Sequence, residues 1–273
     1  QALANSFFRK VDLALPETKY PLRIFFCADC GLSQLIDIVS PEILFRDYVY
    51  FSSGMPSLPH FRRYARDVAD RFLSSPKDLV VEIGSNDGHL LREIKETGAR
   101  ILGVDPARNI AALANKNGIP TIPEFFNETL ARRIEGEHGK AKVIIGNNVV
   151  AHIDDHHDLA RGVSALLAPR GVFIFEAPYL VDMFEHLTFD TVYHEHMSYL
   201  SVRPLMRLFA EYGMEIFDAK VVASQGNSLR VFAAKIGAFD VNSAVDTLVQ
   251  NELNLGLDKI ETYHELARRV AEL

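Results

Sequence analysis

The sequence predicts an α/β fold in which helices cover both faces of a mostly parallel sheet that ends in an antiparallel strand. The main observation is that buried strand-like runs alternate with helical runs from residue 78 onward, which is typical of parallel sheets. The last two strand-like runs, 214–224 and 227–237, follow each other without a helix, so we expect a tight turn and antiparallel pairing. A short irregular region precedes the alternation.

That first region, residues 1–57, contains two short extended pieces, LRIFF (22–26) and LSQLI (32–36). Residues 40–56 mix aromatic residues with Ser, Gly and Pro, which is typical of a linker or lid. A helix is expected at 58–73, because its apolar residues recur at helical spacing.

The second region, residues 58–237, carries the alternation. Gly98 and Gly118 each end a predicted helix. The predicted strands are 78–84, 100–106, 119–122, 141–148 and 171–178, and the helices between and after them are 87–98, 107–118, 127–139, 154–171 (with its turn) and 203–213. A long connection is expected over 178–201. The third region, 238–273, has a helical apolar pattern.

Composition limits the classes of function. With 273 residues and 48% hydrophobic content, the chain can form one large domain with smaller attachments. The net charge of −7 argues against a general nucleic-acid binder. No apolar run approaches the roughly 20 residues that span a bilayer. Because the first residues also lack the plan of a secretion signal, we expect a cytoplasmic protein without a membrane partner.

Cys27 and Cys30 are the two cysteines, spaced C-x-x-C in a predicted turn that ends at Gly31. Two cysteines exclude a disulfide framework and favour a reducing compartment. The turn is similar to one half of a zinc ribbon, but a structural zinc site takes four ligands. Two interpretations therefore stay open, half of a zinc site or a turn without metal. A thioredoxin-like redox motif is disfavoured, because it belongs at the start of a helix after a strand.

A cofactor loop is predicted in VVEIGSNDGHLL (80–91), where the first strand of the sheet runs into a helix. It does not match the dinucleotide motif G-x-G-x-x-G. Glu82 and Asp87 would be poor neighbours for a pyrophosphate but suit a cationic ligand. S-adenosylmethionine carries a sulfonium and an ammonium group and no phosphate, so it fits this loop.

Other strand ends complete the predicted donor site. Gly84 lets the backbone approach the nucleoside, and Asp105 at the end of the second strand suits the two ribose hydroxyls. A generic strand–helix turn is the alternative interpretation of the loop alone. The predicted donor-binding residues are Glu82, Gly84, Asn86, Asp87, Gly88, Asp105, Phe125 and Phe126 (flanking the adenine), and Asn147 and Asn148 (holding the methionine end).

Several blocks in order resemble one known family, the S-adenosylmethionine-dependent sugar C-methyltransferases of deoxysugar biosynthesis. These blocks include ALANSFF, YPLRIFFCADCGLSQL, FRDYVYFSSG, VVEIGSNDGHLL, GNNVVAHIDD, TFDTVYHEHMSYLS and QGNSLRVFAAK. The resemblance implies a zinc-binding N-terminal segment, a Rossmann-like class I methyltransferase domain and a C-terminal Rossmann-like domain. The chain departs from that pattern by lacking the first Cys pair and most of the C-terminal domain.

The run Tyr193–His194–Glu195–His196 has neither a helical nor a strict strand pattern. Methylation of a ring carbon explains such a cluster, because the carbon must first lose a proton to a base while donors hold the neighbouring oxygen. We expect His196 to be the base and Glu195 to orient it or to be a second candidate. If the run is extended, His194 shares a face with His196 and Tyr193 with Glu195, so a Glu195–His196 pair would require a bend.

The resemblance assigns active-site positions to the residues that match Tyr50, His152, Tyr193, Glu195 and His196. Metal binding by His194 and His196 is an alternative, as is a metal at HIDDHHD (152–158), which otherwise caps a helix start. The expected substrate is a nucleotide-linked 4-keto-deoxysugar with a dTDP handle. Two alternatives stay open, O-methylation of a sugar or small natural product and a non-catalytic subunit that binds S-adenosylmethionine.

Overall fold

The computed structural model describes residues 1–5, 7, 10–54, 58–223 and 227–273. Its helices are α1 (Pro41–Phe45), α2 (Leu58–Phe72), α3 (His89–Lys95), α4 (Arg108–Lys116), α5 (Glu128–His138), α6 (His156–Leu166), α7 (Leu180–His186), α8 (Val202–Glu211), α9 (Ser243–Leu255) and α10 (Ile260–Ala271). Its strands are β1 (Ile24–Phe26), β2 (Ser33–Leu35), β3 (Leu79–Ile83), β4 (Arg100–Val104), β5 (Thr121–Ile122), β6 (Ala141–Asn147), β7 (Leu167–Pro178), β8 (Ser198–Tyr199), β9 (Met214–Ala223) and β10 (Asn227–Lys235).

Seven strands form the main sheet in the order β5-β4-β3-β6-β7-β10-β9. The first five of these run parallel, and β10 pairs antiparallel with both β7 and β9. This arrangement confirms the predicted fold class. The tight turn expected between the last two strands lies outside the described residues.

Helices cover both faces of this sheet because alternate residues of each strand point to opposite sides. Val81 and Ile144 join the apolar cluster under α5, α6, α8 and α9, whereas Val80 and Val143 join the cluster under α2 and α3. All four of these side chains are fully buried. The two clusters make the sheet a rigid base for the loops at its edge.

Three predictions of local structure need correction. The strand predicted at 171–178 begins at Leu167. Residues 167–170, which the sequence assigns to the preceding helix and its turn, are therefore part of the strand. The reason is that Leu167 pairs with Ala141 before a bulge in the ladder. The long connection at 178–201 contains α7 and β8, and the lid region at 40–56 contains α1.

The N-terminal region joins the rest of the chain through a second sheet, ordered β1-β2-β8. Both extended pieces predicted there are confirmed as β1 and β2. Because β8 follows the Tyr193–His196 run directly, this sheet fixes the run against the N-terminal region.

The expected helix start at 154–158 is also confirmed, since the Asp155 carboxylate accepts the Asp158 N–H at 2.8 Å.

The C-terminal residues 238–273 are helical, as predicted. Val245 of α9 is buried in the apolar cluster of the main sheet, and Tyr263 of α10 packs on Phe184 and Phe26. No helix within the described ranges combines the length and the apolar character that a membrane span requires.

Candidate functional site

The candidate site lies at the carboxyl ends of β3, β4 and β6. The strand order reverses between β3 and β6, and open α/β sheets bind ligands at such a reversal. Glu82 lies in β3, Asp105 follows β4, and Asn147 ends β6, so the fold brings these predicted donor-binding residues to one edge.

The loop after β3 has a geometry that requires small residues. Gly84 has φ +65°, and a Cβ there would lie 2.9 Å from the Cβ of Val149. Asp105 shapes the same loop, because its carboxylate accepts the Asn86 N–H at 2.8 Å and the Ala107 N–H at 2.9 Å. Each carboxylate oxygen keeps a further acceptor site for a ligand hydroxyl.

Three carboxylates make this crevice acidic. Burial raises the pKa of Glu82 well above its ordinary value, and the neighbouring Asp105 and Asp87 raise it further. Burial also raises the pKa of Asp105, whereas the two backbone N–H groups that donate to its carboxylate lower this pKa. A cation in the crevice would relieve this repulsion, whereas a phosphate would increase it.

Several buried polar atoms at the crevice have no partner among the described residues. Such buried atoms normally have a hydrogen-bond partner. The unpaired atoms at this edge are Glu82 Oε2, Ser85 Oγ, Asp87 Oδ1, Asn147 Nδ2 and Asn148 Oδ1. The oxygens of Glu82, Asp87 and Asn148 can accept from an ammonium group, and the Asn147 amide N–H₂ can donate to a carboxylate. The amino-acid end of S-adenosylmethionine carries both of these groups, so the residues fit this molecule.

A segment that we name the strap, residues 46–54, covers this crevice. The Asn86 side chain accepts the Ser52 N–H at 2.9 Å and donates to the Tyr50 carbonyl at 3.0 Å, and Asp87 accepts the Ser53 N–H at 3.2 Å. Asn109 of α4 holds the strap from the other side by donating to the Tyr48 carbonyl at 3.0 Å. In this structure, therefore, Asn86 binds the strap with its side-chain amide.

The two predicted adenine-flanking residues lie in different surroundings. Phe126 packs on the main apolar cluster, where its ring lies 3.0 Å from the position of a Cβ at Gly162. Phe125 instead joins Phe45 and Tyr48, with the Arg46 guanidinium 4.6 Å from its ring centre. The structure thus places Phe125 next to the strap and Phe126 in the core.

The Tyr193–His196 run is a turn, because the His196 N–H donates to the Tyr193 carbonyl at 3.0 Å. The turn brings the Tyr193 hydroxyl to 2.9 Å from His196 Nε2. His196 Nδ1 lies 2.7 Å from the Thr191 carbonyl, which can only accept, so Nδ1 carries the proton and Nε2 accepts from Tyr193. The orienting group of His196 is therefore a backbone carbonyl.

His194 and Glu195 face the N-terminal region instead. His194 Nε2 lies 3.0 Å from the Pro21 carbonyl. The Glu195 carboxylate accepts from Asn5 Nδ2 at 2.6 Å and from the Tyr48 hydroxyl at 2.8 Å. The structure therefore does not show the expected pairing of Glu195 with His196. The bend that this pairing required is nevertheless present. The metal alternative for His194 and His196 also loses support, because the two imidazoles point to different partners.

Asn5 and Tyr48 are the site residues that sequence reasoning missed. Tyr48 lies two residues before Tyr50, and residues two apart share a face of an extended segment, so the spacing could have placed Tyr48 at the site as well. The Tyr48 and Tyr50 rings lie 6.5 Å apart. The sequence carries no comparable signal for Asn5, because its partner is 190 residues away.

Two neutral histidines lie side by side in the site. The ring of His152 stacks on Phe45 at 5.6 Å and lies 5.1 Å from the ring of His196. Burial lowers the pKa of His152 to about 3, with a smaller contribution from His196. Burial also lowers the pKa of His196, partly offset by its bond to the Thr191 carbonyl. His196 Nε2 is therefore an unprotonated acceptor at neutral pH.

These lowered pKa values predict acid sensitivity. Unfolding exposes His152 to water, where its pKa returns to 6.5, so the unfolded chain binds the extra proton between pH 6.5 and about 3. The free energy of unfolding should therefore fall as the pH drops below 6.5, by about 1.4 kcal/mol per pH unit for each such proton.

Urea unfolding from about pH 7 to about pH 5 would measure this slope. His152→Phe keeps an aromatic ring against Phe45 and removes the proton site, so its slope should be shallower than that of the wild type. Equal slopes for the two proteins would contradict a half-buried His152 that stays neutral in the folded protein.

A cavity of about 250 Å³ lies beside His196. It is smaller than the roughly 300–1,000 Å³ of a site for a drug-sized ligand, so it suits a single ring. Polar residues Asp182, Asp190 and Asn227 line it, with Tyr179, Tyr199 and Met183, and the described residues of its lining include no Lys or Arg. A ring that offers hydroxyl donors fits this lining better than a phosphate does.

Tyr48→Phe tests the anchoring of Glu195. The substitution removes one of two donors from a buried carboxylate, so we expect the free energy of unfolding to fall by about 1.5–3 kcal/mol. Tyr212→Phe is the control, because the Tyr212 hydroxyl lies 2.8 Å from Nδ1 of His157, an exposed residue. Urea titrations that give the same loss for both variants would remove Tyr48 as an anchor.

Cys27 and Cys30 lie in the predicted turn, closed by the Gly31 N–H donating to the Cys27 carbonyl at 2.8 Å. Both thiols are free. The described residues contain no group of three or more His, Cys, Asp or Glu that could hold a metal ion. The two thiols would supply two of the four ligands that a structural zinc site takes.

Two family models match the chain. One, described as "Methyltransferase domain", matches residues 58–219, and one described as "Putative zinc binding domain" matches residues 1–45. The first covers more than half of the chain.

The chain is 39% identical over 267 residues to the C-methyltransferase NovU of Streptomyces niveus. This match includes 97% of the chain but spans only 64% of the length of that relative.

Solved structures share the fold. A magnesium protoporphyrin IX methyltransferase (ChlM) from Synechocystis PCC 6803 with bound SAH has a TM-score of 0.51 at 15% identity, over 65% of this chain and 83% of its own. The plantazolicin methyltransferase BpumL in complex with SAH has a TM-score of 0.50 at 14% identity, over 67% and 86%. At such low identity these structures establish the fold alone.

Proposed function

The chain belongs to the methyltransferase-domain family, and on that premise we propose that it transfers a methyl group from S-adenosylmethionine to a ring carbon of a nucleotide-linked 4-keto-deoxysugar, with dTDP as the nucleotide. The observation that carries the proposal is a neutral, half-buried His196 beside a small cavity whose lining includes two carboxylates. A base at a ring-sized cavity is what abstraction of a proton from carbon requires.

Bound in the crevice at the end of β3, S-adenosylmethionine supplies an electrophilic methyl group. Glu82 and Asp87 would face its sulfonium and ammonium groups. Asn147 and Asn148 would hold its amino-acid end, with the Asn147 N–H₂ donating to the carboxylate and Asn148 Oδ1 accepting from the ammonium group. Asp105 would accept from the ribose hydroxyls with the acceptor sites that its backbone bonds leave open.

On the acceptor side, His196 Nε2 takes the proton of the carbon next to the ketone, and the electron pair moves to the carbonyl oxygen as an enolate. In the structure that nitrogen accepts from Tyr193. Binding of the ketosugar would turn the Tyr193 hydroxyl from Nε2 to the carbonyl oxygen. One residue would then both free the base and stabilise the enolate.

Tyr193 is suited to that role because it stays protonated. Burial raises the pKa of Tyr193 to about 12, and the Glu195 charge contributes to the increase. Burial also raises the pKa of Tyr50, with a contribution from Asp87. Both phenols therefore remain donors across the range in which His196 is neutral.

The two free cysteines support the proposed cytoplasmic location, because thiols stay reduced in that compartment. Zinc is not needed in any step proposed here.

The deciding experiment incubates the protein with S-adenosylmethionine and a panel of dTDP-linked ketosugars. We expect a mass increase of one methyl group, located by fragmentation on a ring carbon. A methyl group on oxygen would overturn the proposal in favour of O-methylation. Tight donor binding with no transfer to any sugar would overturn it in favour of a binding subunit.

Exchange at carbon provides a second readout. In deuterated buffer with S-adenosylhomocysteine, the protein should exchange the proton next to the ketone, because His196 forms the enolate without a methyl donor. An O-methylating enzyme has no reason to catalyse that exchange.

A further inference from the structure

A buried carboxylate on α9 lies outside the matched methyltransferase domain. Glu252 is 1% exposed, and it lies beyond residues 58–219. A buried carboxylate is costly unless hydrogen bonds satisfy it. Its partners therefore indicate what it is placed to hold.

Glu252 has three donors from two separate segments. Its Oε1 accepts from the Tyr179 hydroxyl at 2.9 Å and from the Val202 N–H at 2.6 Å, and its Oε2 accepts from the Arg203 N–H at 3.2 Å. The last two groups are the first N–H groups of α8, which otherwise lacks a side-chain cap. A negative charge at that end of a helix is favourable.

One segment held by Glu252 lines the cavity beside His196, and the other follows residues that line it. Tyr179 lines the cavity, and the Leu180 N–H donates to the Leu200 carbonyl at 3.0 Å. Leu200 follows Ser198 and Tyr199, which also line it. Glu252 thus lies where the end of β7, the start of α8 and α9 meet.

We propose that Glu252 is a positioning residue for the acceptor cavity. It holds Tyr179 and the β8–α8 junction in register, so the C-terminal helix sets the shape of the sugar site without touching the sugar. This inference rests on the proposed function, because it treats the cavity as the acceptor site.

Two variants separate positioning from general stability. Glu252→Gln turns an amide N–H₂ toward one of its N–H donors, and Tyr179→Phe removes only the hydroxyl and leaves the cap of α8 in place. We expect each to raise the acceptor KM and Kd by about tenfold, the equivalent of one lost hydrogen bond to a charged group. We expect kcat and the affinity for S-adenosylhomocysteine to stay within about twofold of the wild type.

The probe is dTDP-4-keto-6-deoxyglucose, titrated calorimetrically in the presence of S-adenosylhomocysteine and assayed with S-adenosylmethionine. Glu211→Gln, at a half-exposed carboxylate on α8, is the control and should match the wild type. If Glu252→Gln does not fold, Tyr179→Phe still provides the test.

An unchanged acceptor Kd and KM in the folded variants would overturn the inference and leave the proposed function standing. A lower melting temperature alone, without a change in acceptor affinity, would assign Glu252 to stability and also overturn it. Absence of probe binding to the wild-type chain would overturn the proposed function and the inference together.

Discussion

His196→Ala is expected to reduce methyl transfer by about 10²–10⁴-fold, the usual contribution of a general base. The structure gives the reason, since His196 Nε2 is unprotonated and lies beside the cavity, with its ring oriented by the Thr191 carbonyl. Donor affinity should be unchanged, because the hydrogen bonds and ring contacts of this imidazole among the described residues are to Thr191, Tyr193 and His152. Single-turnover methylation and a donor titration would measure the two effects.

The same variant should lose deuterium exchange at the carbon next to the ketone. His157→Ala is the matched control, because His157 is 54% exposed on α6. Near-normal turnover in His196→Ala would reject His196 as the base. Glu195 would then be the remaining candidate, and its bonds to Asn5 and Tyr48 would have to open first.

Asp105→Ala should have the largest effect on donor affinity. The substitution leaves the N–H groups of Asn86 and Ala107 without their acceptor, at about 1–3 kcal/mol for each buried group, and it removes the proposed ribose contacts. We therefore expect the Kd for S-adenosylhomocysteine to rise by about two orders of magnitude or more.

Calorimetric titration would measure this loss, with a circular dichroism spectrum to confirm that the variant is folded. Asp240→Ala, at an exposed carboxylate after β10, is the control and should bind normally. A Kd within about threefold of the wild type would contradict the role given to Asp105.

The sheet could be predicted because its signals are local. The apolar run of β3 and the glycines that end the helices reveal the alternation directly, and the carboxyl ends of parallel strands must meet at one edge. Glu82, Asp105 and Asn147 could therefore be placed together without coordinates.

The contacts of the Tyr193–His196 run could not be predicted in the same way. An extended run pairs residues two apart, whereas the observed turn pairs Tyr193 with His196. The buried Glu195 needs donors, but only the fold shows that Asn5 and Tyr48 supply them. Long-range hydrogen bonds of this kind leave no periodic pattern in a sequence.

The strap has a consequence for the order of events in catalysis. It covers Asn86 and Asp87 and also carries the hydroxyl that anchors Glu195. On the proposed function, a donor that entered or left beneath the strap would disturb that anchor, and Glu195 would be held in place only while the strap covers the crevice. Sugar enolates would then form mainly while a methyl donor is bound beside them. This order would protect the substrate from epimerisation at the carbon that loses its proton.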